Sequence, residues 1–146
     1  MKEKYPLKII RTENNIFKAA TSINKFNDNT KNIRQELSFV EIDYTVTIES
    51  VHRLLGFSSK KRVDTHLYWL IGNAILQFFE RLSELGFYLI QQNQTIARDI
   101  GISKSSISRI LSFRKRFPKV SMIDPTIPWA KYRDNKIPLI NNDGKV

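Results

Sequence analysis

The sequence predicts an α+β fold in which two helical lobes share one chain with antiparallel β-strands between and around them. Three observations predict it. Polar and apolar residues alternate in the first third of the chain, helical periodicity runs from about Ile48 through Leu85, and a bent helical pair is legible at 95–111 with a fainter copy near 50–63. A chain of 146 residues has room for one ordinary domain or two small lobes. The division expected is 1–90, holding the N-terminal strands, the first lobe and a core helix, and 91–146, holding the second lobe and its C-terminal strands.

Residues 5–22 read as two short strands around Glu13-Asn14-Asn15, and 24–30 is a polar loop by composition. Val40, Ile42, Tyr44, Val46 and Ile48 alternate with Glu41, Asp43, Thr45 and Thr47, the period-two pattern of a half-buried strand over 36–48. Next, Leu67, Leu70/Ile71, Ala74/Ile75, Phe78 and Leu82 fall on one helix face, and Gly86 is placed to cap that helix. A further helical region runs from about 94 to 116. Pro118 ends it, and the Pro-punctuated tail 125–140 allows only short extended pieces.

Lys and Arg number 24 against 14 Asp and Glu, a formal charge of +10, so a polyanionic partner is expected, nucleic acid before an anionic membrane surface. The charge is segregated. Residues 36–49 hold Glu36, Glu41, Asp43 and Glu49 and no base, whereas 98–119 hold Arg98, Lys104, Arg109, Arg114, Lys115, Arg116 and Lys119 against the single Asp99. Such a run is also compatible with a plain solvated helix face. No cysteine is present, which excludes disulfides, thiolate zinc and a nucleophilic Cys, and fits a reducing cytoplasm. The opening residues lack the apolar core of a secretory signal, and the apolar segment Leu67–Phe79 is shorter than the roughly 20 residues a membrane helix needs. No membrane association is therefore expected.

The richest stretch is Thr95-Ile96-Ala97-Arg98-Asp99-Ile100-Gly101-Ile102-Ser103-Lys104-Ser105-Ser106-Ile107-Ser108-Arg109-Ile110-Leu111, which resembles a helix-turn-helix. Ile96 and Ile100 form an inner stripe, and Ala97 is small enough for a second helix to cross close by. Gly101 supplies a left-handed corner, Ile102 plugs it, and Ser103 caps the second helix. Ile107, Ile110 and Leu111 then turn inward and leave Lys104, Ser105, Ser106, Ser108 and Arg109 outward, with Arg114, Lys115 and Arg116 extending the basic face. A ligand-free amphipathic hairpin shares the apolar spacing but not the corner and the basic face together. Aligning Gly56 with Gly101 pairs Ser50 with Thr95, Val51 with Ile96, Arg53 with Arg98, Leu55 with Ile100 and Phe57 with Ile102. The match slips after Ser58, although Ser59, Lys60, Lys61 and Arg62 still give this copy a basic second helix. Chance similarity of two amphipathic hairpins is the alternative.

Thr47-Ile48-Glu49-Ser50-Val51-His52-Arg53-Leu54-Leu55-Gly56-Phe57-Ser58 is similar to the opening of a MerR-type helix-turn-helix. The segment Ile127 to Ile140 is similar to the β-hairpin wing of MerR-like and excisionase-like proteins, with Asp134-Asn135 as its turn. These resemblances imply two winged helix-turn-helix lobes acting as an internal pseudo-dimer, with Lys131, Arg133 and Lys136 on the DNA backbone. Together they resemble the TraN type of small DNA-binding protein from Gram-positive conjugative plasmids. That implies a cytoplasmic, monomeric, non-enzymatic reader of double-stranded DNA, an accessory or regulator of transfer with other conjugation or regulatory proteins as candidate partners. A chromosomal or phage transcriptional regulator or a winged-helix replication initiator is the alternative, and a basic protein-interaction module a remote one.

No cofactor or metal is expected. His52 and His66 stand in no ligand or triad spacing, and Tyr5, Tyr44, Tyr68, Tyr88 and Tyr132 lack the His or Arg neighbours of a nucleophilic tyrosine. The aromatics at 69, 78, 79, 87, 88 and 129 are more often core than interface at these spacings.

Overall fold

The computed structural model describes residues 4–21, 30–57 and 65–134. In chain order these form β1 (Tyr5–Arg11), β2 (Phe17–Thr21), α1 (Thr30–Phe57), α2 (Thr65–Glu84), β3 (Phe87–Leu89), α3 (Gln92–Ile100), α4 (Lys104–Arg116), a 3-10 turn at Val120–Met122 and α5 (Trp129–Arg133). The class is α+β, as the sequence predicts.

The first hairpin follows its sequence pattern. Leu7, Ile9 and Phe17 point inward while Lys8, Ile10 and Lys18 point out. β1 and β2 pair antiparallel, from Leu7 opposite Thr21 to Arg11 opposite Phe17. Asn15 takes the turn at φ 60, a left-handed conformation that asparagine tolerates, and the Arg11 Nε–H donates to its Oδ1 at 3.0 Å. β3 was not legible in the sequence. It adds three residues parallel to β1, Tyr5 opposite Phe87 and Leu7 opposite Leu89, for a sheet order β2-β1-β3.

Residues 36–48 are not a strand. They lie in α1, a helix of 28 residues. Val40, Tyr44, Ile48 and Val51 recur every three or four residues and are all buried, whereas Ile42 and Val46, which a strand would have put on the same face, are exposed. The alternation was therefore half of a helical pattern. Thr45 and Thr47 satisfy their hydroxyls inside the helix, where each Oγ1–H donates to the carbonyl four residues back, Glu41 and Asp43, at 2.8 Å. The acids brace the helix against its neighbours. Arg81 of α2 donates from Nε and Nη2 to Asp43 at 2.8 and 2.9 Å, and the Ala19 amide of β2 donates to Glu41 Oε2 at 2.8 Å. That last bond also closes part of the outer edge of β2.

This helix overturns the first of the two expected corners. Gly56 lies inside α1, and the glycines with positive φ among the described residues are Gly86 and Gly101. The corner expected at Gly56 is thus helical backbone up to Phe57, and the rest of the 50–63 copy, with its recognition residues Ser58, Ser59, Lys60, Lys61 and Arg62, lies outside the described residues. The expected wing also differs, because Trp129–Arg133 forms the helical turn α5, which Pro128 enters in extended geometry. Trp129 stacks on Tyr68 and meets Phe113 edge-on, so its spacing serves helical packing rather than a hairpin. Asn135 and Lys136 lie outside the described residues.

α2 carries Trp69, Ile71, Ile75, Phe78 and Leu82 inward, and Gly86 at φ 89 ends it as expected. One core of residues from β1, β2, α1, α2, β3, α3 and α4 crosses the division expected at residue 90. A smaller cluster of Trp69, Phe113, Phe117, Ile123 and Tyr132 ties α5 to the end of α4. Among the described residues no helix is long and apolar enough to cross a membrane.

Candidate nucleic-acid interface

The bent helix pair at 92–116 forms as its residues predict. Ile96, Ala97 and Ile100 are buried, and α3 ends at Gly101, which takes φ 90 and ψ 27 and donates its amide to the Ala97 carbonyl at 2.8 Å. Left-handed geometry is costly for any residue with a Cβ. The space around Gly101 is open, with no atom within 4 Å of where a Cβ would stand. Substitution there tests backbone conformation alone. Gly101→Val is expected to lower stability by about 1–2 kcal/mol, read as a fall in the thermal midpoint, and an unchanged melting curve would contradict the corner.

Ser103 then caps α4. Its backbone is extended and its Oγ accepts the Ser106 amide at 3.0 Å, satisfying one N–H at a helix start. Ile107, Ile110, Leu111 and Phe113 face the core. Lys104, Ser105, Arg109, Ser112 and Lys115 are exposed, and no acid occurs anywhere in α4. Backbone amides at the start of a helix favour a phosphate, and the cations beside them add to that field.

Several residues expected outward are otherwise engaged. Asn93 of α3 donates to Ser108 Oγ at 3.1 Å, so Ser108 braces the two helices. Arg114 donates to Asn73 Oδ1 of α2 at 3.0 Å and lies 5.0 Å over the Trp69 ring, and Arg116 lies over Phe117. Ser106 is half-buried and receives the Ser103 hydroxyl at 2.8 Å. The exposed side chains left to meet a ligand on α4 are Lys104, Ser105, Arg109, Ser112 and Lys115.

α5 stands beside them. Arg109 and Arg133 line one cleft of about 200 Å³ whose floor includes Leu55, Ile102, Tyr68 and Trp129. Lys131 is exposed, and Arg133 donates to Asp134 at 2.9 Å, which holds its guanidinium more firmly charged. Of the basic side chains of α5, Arg133 therefore shares a cleft with Arg109 of α4, on helical backbone rather than a hairpin.

The residues that position this unit escaped the sequence reading. Asp99, the lone acid of the basic stretch, is buried. It accepts the Tyr44 phenol of α1 and both Nε and Nη2 of Arg98, the last two at 2.8 Å, while Arg98 Nη2 also reaches the Ile9 carbonyl at 3.1 Å. Burial first, and then the bond to Asp99, pushes the Tyr44 phenol far above its ordinary range. The hydrogen bond to Asp99 likewise raises Arg98. His52 Nε2 lies 3.1 Å from the Ile100 carbonyl, joining α1 to the corner a second time. The available signal was positional, since Asp99 shares the inward face with Ile96 and Ile100, where an acid needs buried partners.

Among the described residues no group of three His, Asp or Glu could hold a metal ion. No known protein family, curated protein or solved structure matches this chain.

Proposed function

We propose that the chain is a non-enzymatic protein that binds double-stranded DNA through one recognition helix, α4. The observation that carries the reading is the capped corner at 101–103. It sets a helix with an apolar inner face and an acid-free outer face, and leaves Lys104, Ser105 and Arg109 exposed. Arg109 and Lys104 donate to guanine acceptors in the major groove, and small Ser105 permits close approach. Lys115 of α4 and Lys131 and Arg133 of α5 contact the phosphate backbone and fix register. A role as an accessory or regulator of conjugative transfer rests on the resemblance of two lobes in one chain, of which the stretch at 47–58 lies in α1 up to Phe57.

Titrating salt against duplex binding tests this. If about 6 phosphates are neutralised, the logarithm of the affinity falls against that of salt with a slope near −5. A flat dependence would contradict a backbone-anchored complex, and equal competition by heparin and every duplex would remove the claim that sequence is read.

A further inference from the structure

The cleft shared by α4 and α5 has a divided lining. On its polar side stand Arg109, Arg133 and Ser106, and no acid is among the described residues that line it. Arg109 pairs with no carboxylate among the described residues. Arg133 gives Nε and Nη2 to Asp134 at 2.9 and 3.2 Å and keeps Nη1. Ser106 Oγ accepts the Ser103 hydroxyl at 2.8 Å, which leaves its own proton for another acceptor. The rest of the lining is apolar, with Ile102 half-buried and Tyr68 stacked on Trp129 at 4.3 Å and 22°. Burial raises the Tyr68 phenol above its ordinary range against the opposing charge of Arg133, so it too remains a donor at neutral pH.

From this division we infer that the cleft binds a small aromatic carboxylate, with its rings against Tyr68 and Trp129 and its charge held between Arg109 and Arg133. A guanidinium matches a carboxylate in plane and in spacing of donors. An aromatic ring gains more against an aromatic pair than the area it buries, whereas a bare phosphate would use the arginines alone. At about 200 Å³ the cleft is smaller than those that take drug-sized ligands, about 300–1,000 Å³, and suits one or two rings. A carboxylate seated there occupies donors that Arg109 would otherwise give to a base, so the ligand competes with DNA. The binding stands on the cleft alone, and the competition rests on the reading of α4 as the recognition helix.

Titrating 2-naphthoate into the isotope-labelled full chain, followed by NMR, tests the binding. The indole N–H signal of Trp129 is expected to shift with a midpoint at or below about 1 mM. That of Trp69, bonded to the Phe117 carbonyl at 2.6 Å, is expected to move less. A Trp129 signal still in place at about 10 mM would overturn the inference. 2-Naphthylmethanol, with the rings and no charge, and inorganic phosphate, with charge and no rings, are each expected to bind at least about tenfold more weakly. Equal binding of phosphate would make the cleft a seat for the DNA backbone, and equal binding of the alcohol would remove the arginines from the site. Arg133→Gln, at an exposed position, is expected to weaken naphthoate by at least about tenfold with an unchanged melt, and undiminished binding would contradict the proposed seat. Saturating naphthoate is expected to lower duplex affinity by at least about fivefold, and the duplex to lower naphthoate affinity by the same factor. Naphthoate binding without duplex binding would sink the reading of α4 and leave that of the cleft. Duplex affinity indifferent to bound naphthoate would refute the competition.

Discussion

Gly72→Val is expected to destabilise the protein by about 3 kcal/mol and to abolish whatever α4 binds. α2 and α4 cross at this glycine. A Cβ there would stand 2.9 Å from Cβ of Arg114, 3.0 Å from the Ile110 carbonyl oxygen and 3.2 Å from the Ile110 Cγ2. None of these contacts belongs to the loose end of a side chain, so relief requires the two helices to part. Replacing a helical glycine ordinarily gains about 1 kcal/mol, and here the clash outweighs that gain even for alanine. The clash falls on Ile110, next to Arg109, and on Arg114 one turn further, so parting the helices also tilts the outer face of α4. Thermal unfolding reads the first effect and duplex binding the second. A variant as stable as the parent would mean that the crossing is looser than described.

The second large effect is expected at Asp99. Asp99→Ala removes the acceptor of a Tyr44 hydroxyl that has no access to water, at a cost of about 1–3 kcal/mol. Arg98 is 45% exposed and rehydrates, so loss of its ion pair adds little. The thermal midpoint should fall by roughly 3–10 °C. Asp99→Asn keeps an acceptor and is expected to recover part of the loss. An effect equal to that of a surface substitution would contradict the buried network. Because the Tyr44 proton is held more tightly in the folded chain than in the unfolded one, its contribution to stability is complete below the ordinary phenol range, about pH 10. It is lost as pH rises above that. Burial is the leading cause of that shift, so the alkaline loss should persist in Asp99→Ala.

The parts legible in the sequence were those governed by local rules. The hairpin at 5–21, the stop at Gly86, the corner at Gly101 and the cap at Ser103 each depend on a residue type acting on its own backbone. The errors arose where tertiary packing decides. Val40, Tyr44 and Ile48 satisfy a period of two and a period of four equally, and only their burial against the sheet and α2, with Ile42 and Val46 left outside, selects the helix. The corner expected at Gly56 is helical for a related reason, since glycine can continue a helix as well as end one. Ser108 and Arg114 were misread as outward because the spacing of α4 cannot reveal Asn93 or Asn73, which approach from other helices. β3 is three residues long and owes its existence to β1.

The proposal that α4 reads DNA meets its most direct test in the Lys104→Ala/Arg109→Ala double variant, with fluorescence anisotropy on a labelled duplex beside the thermal melt. Both side chains are exposed and make no contribution to the core, so the melt should be unchanged while affinity falls by at least about thirtyfold, at roughly 1–3 kcal/mol for each base contact. Lys115→Ala should instead weaken all duplexes alike. Undiminished affinity in a folded double variant would place any nucleic-acid contact on another surface and contradict the account.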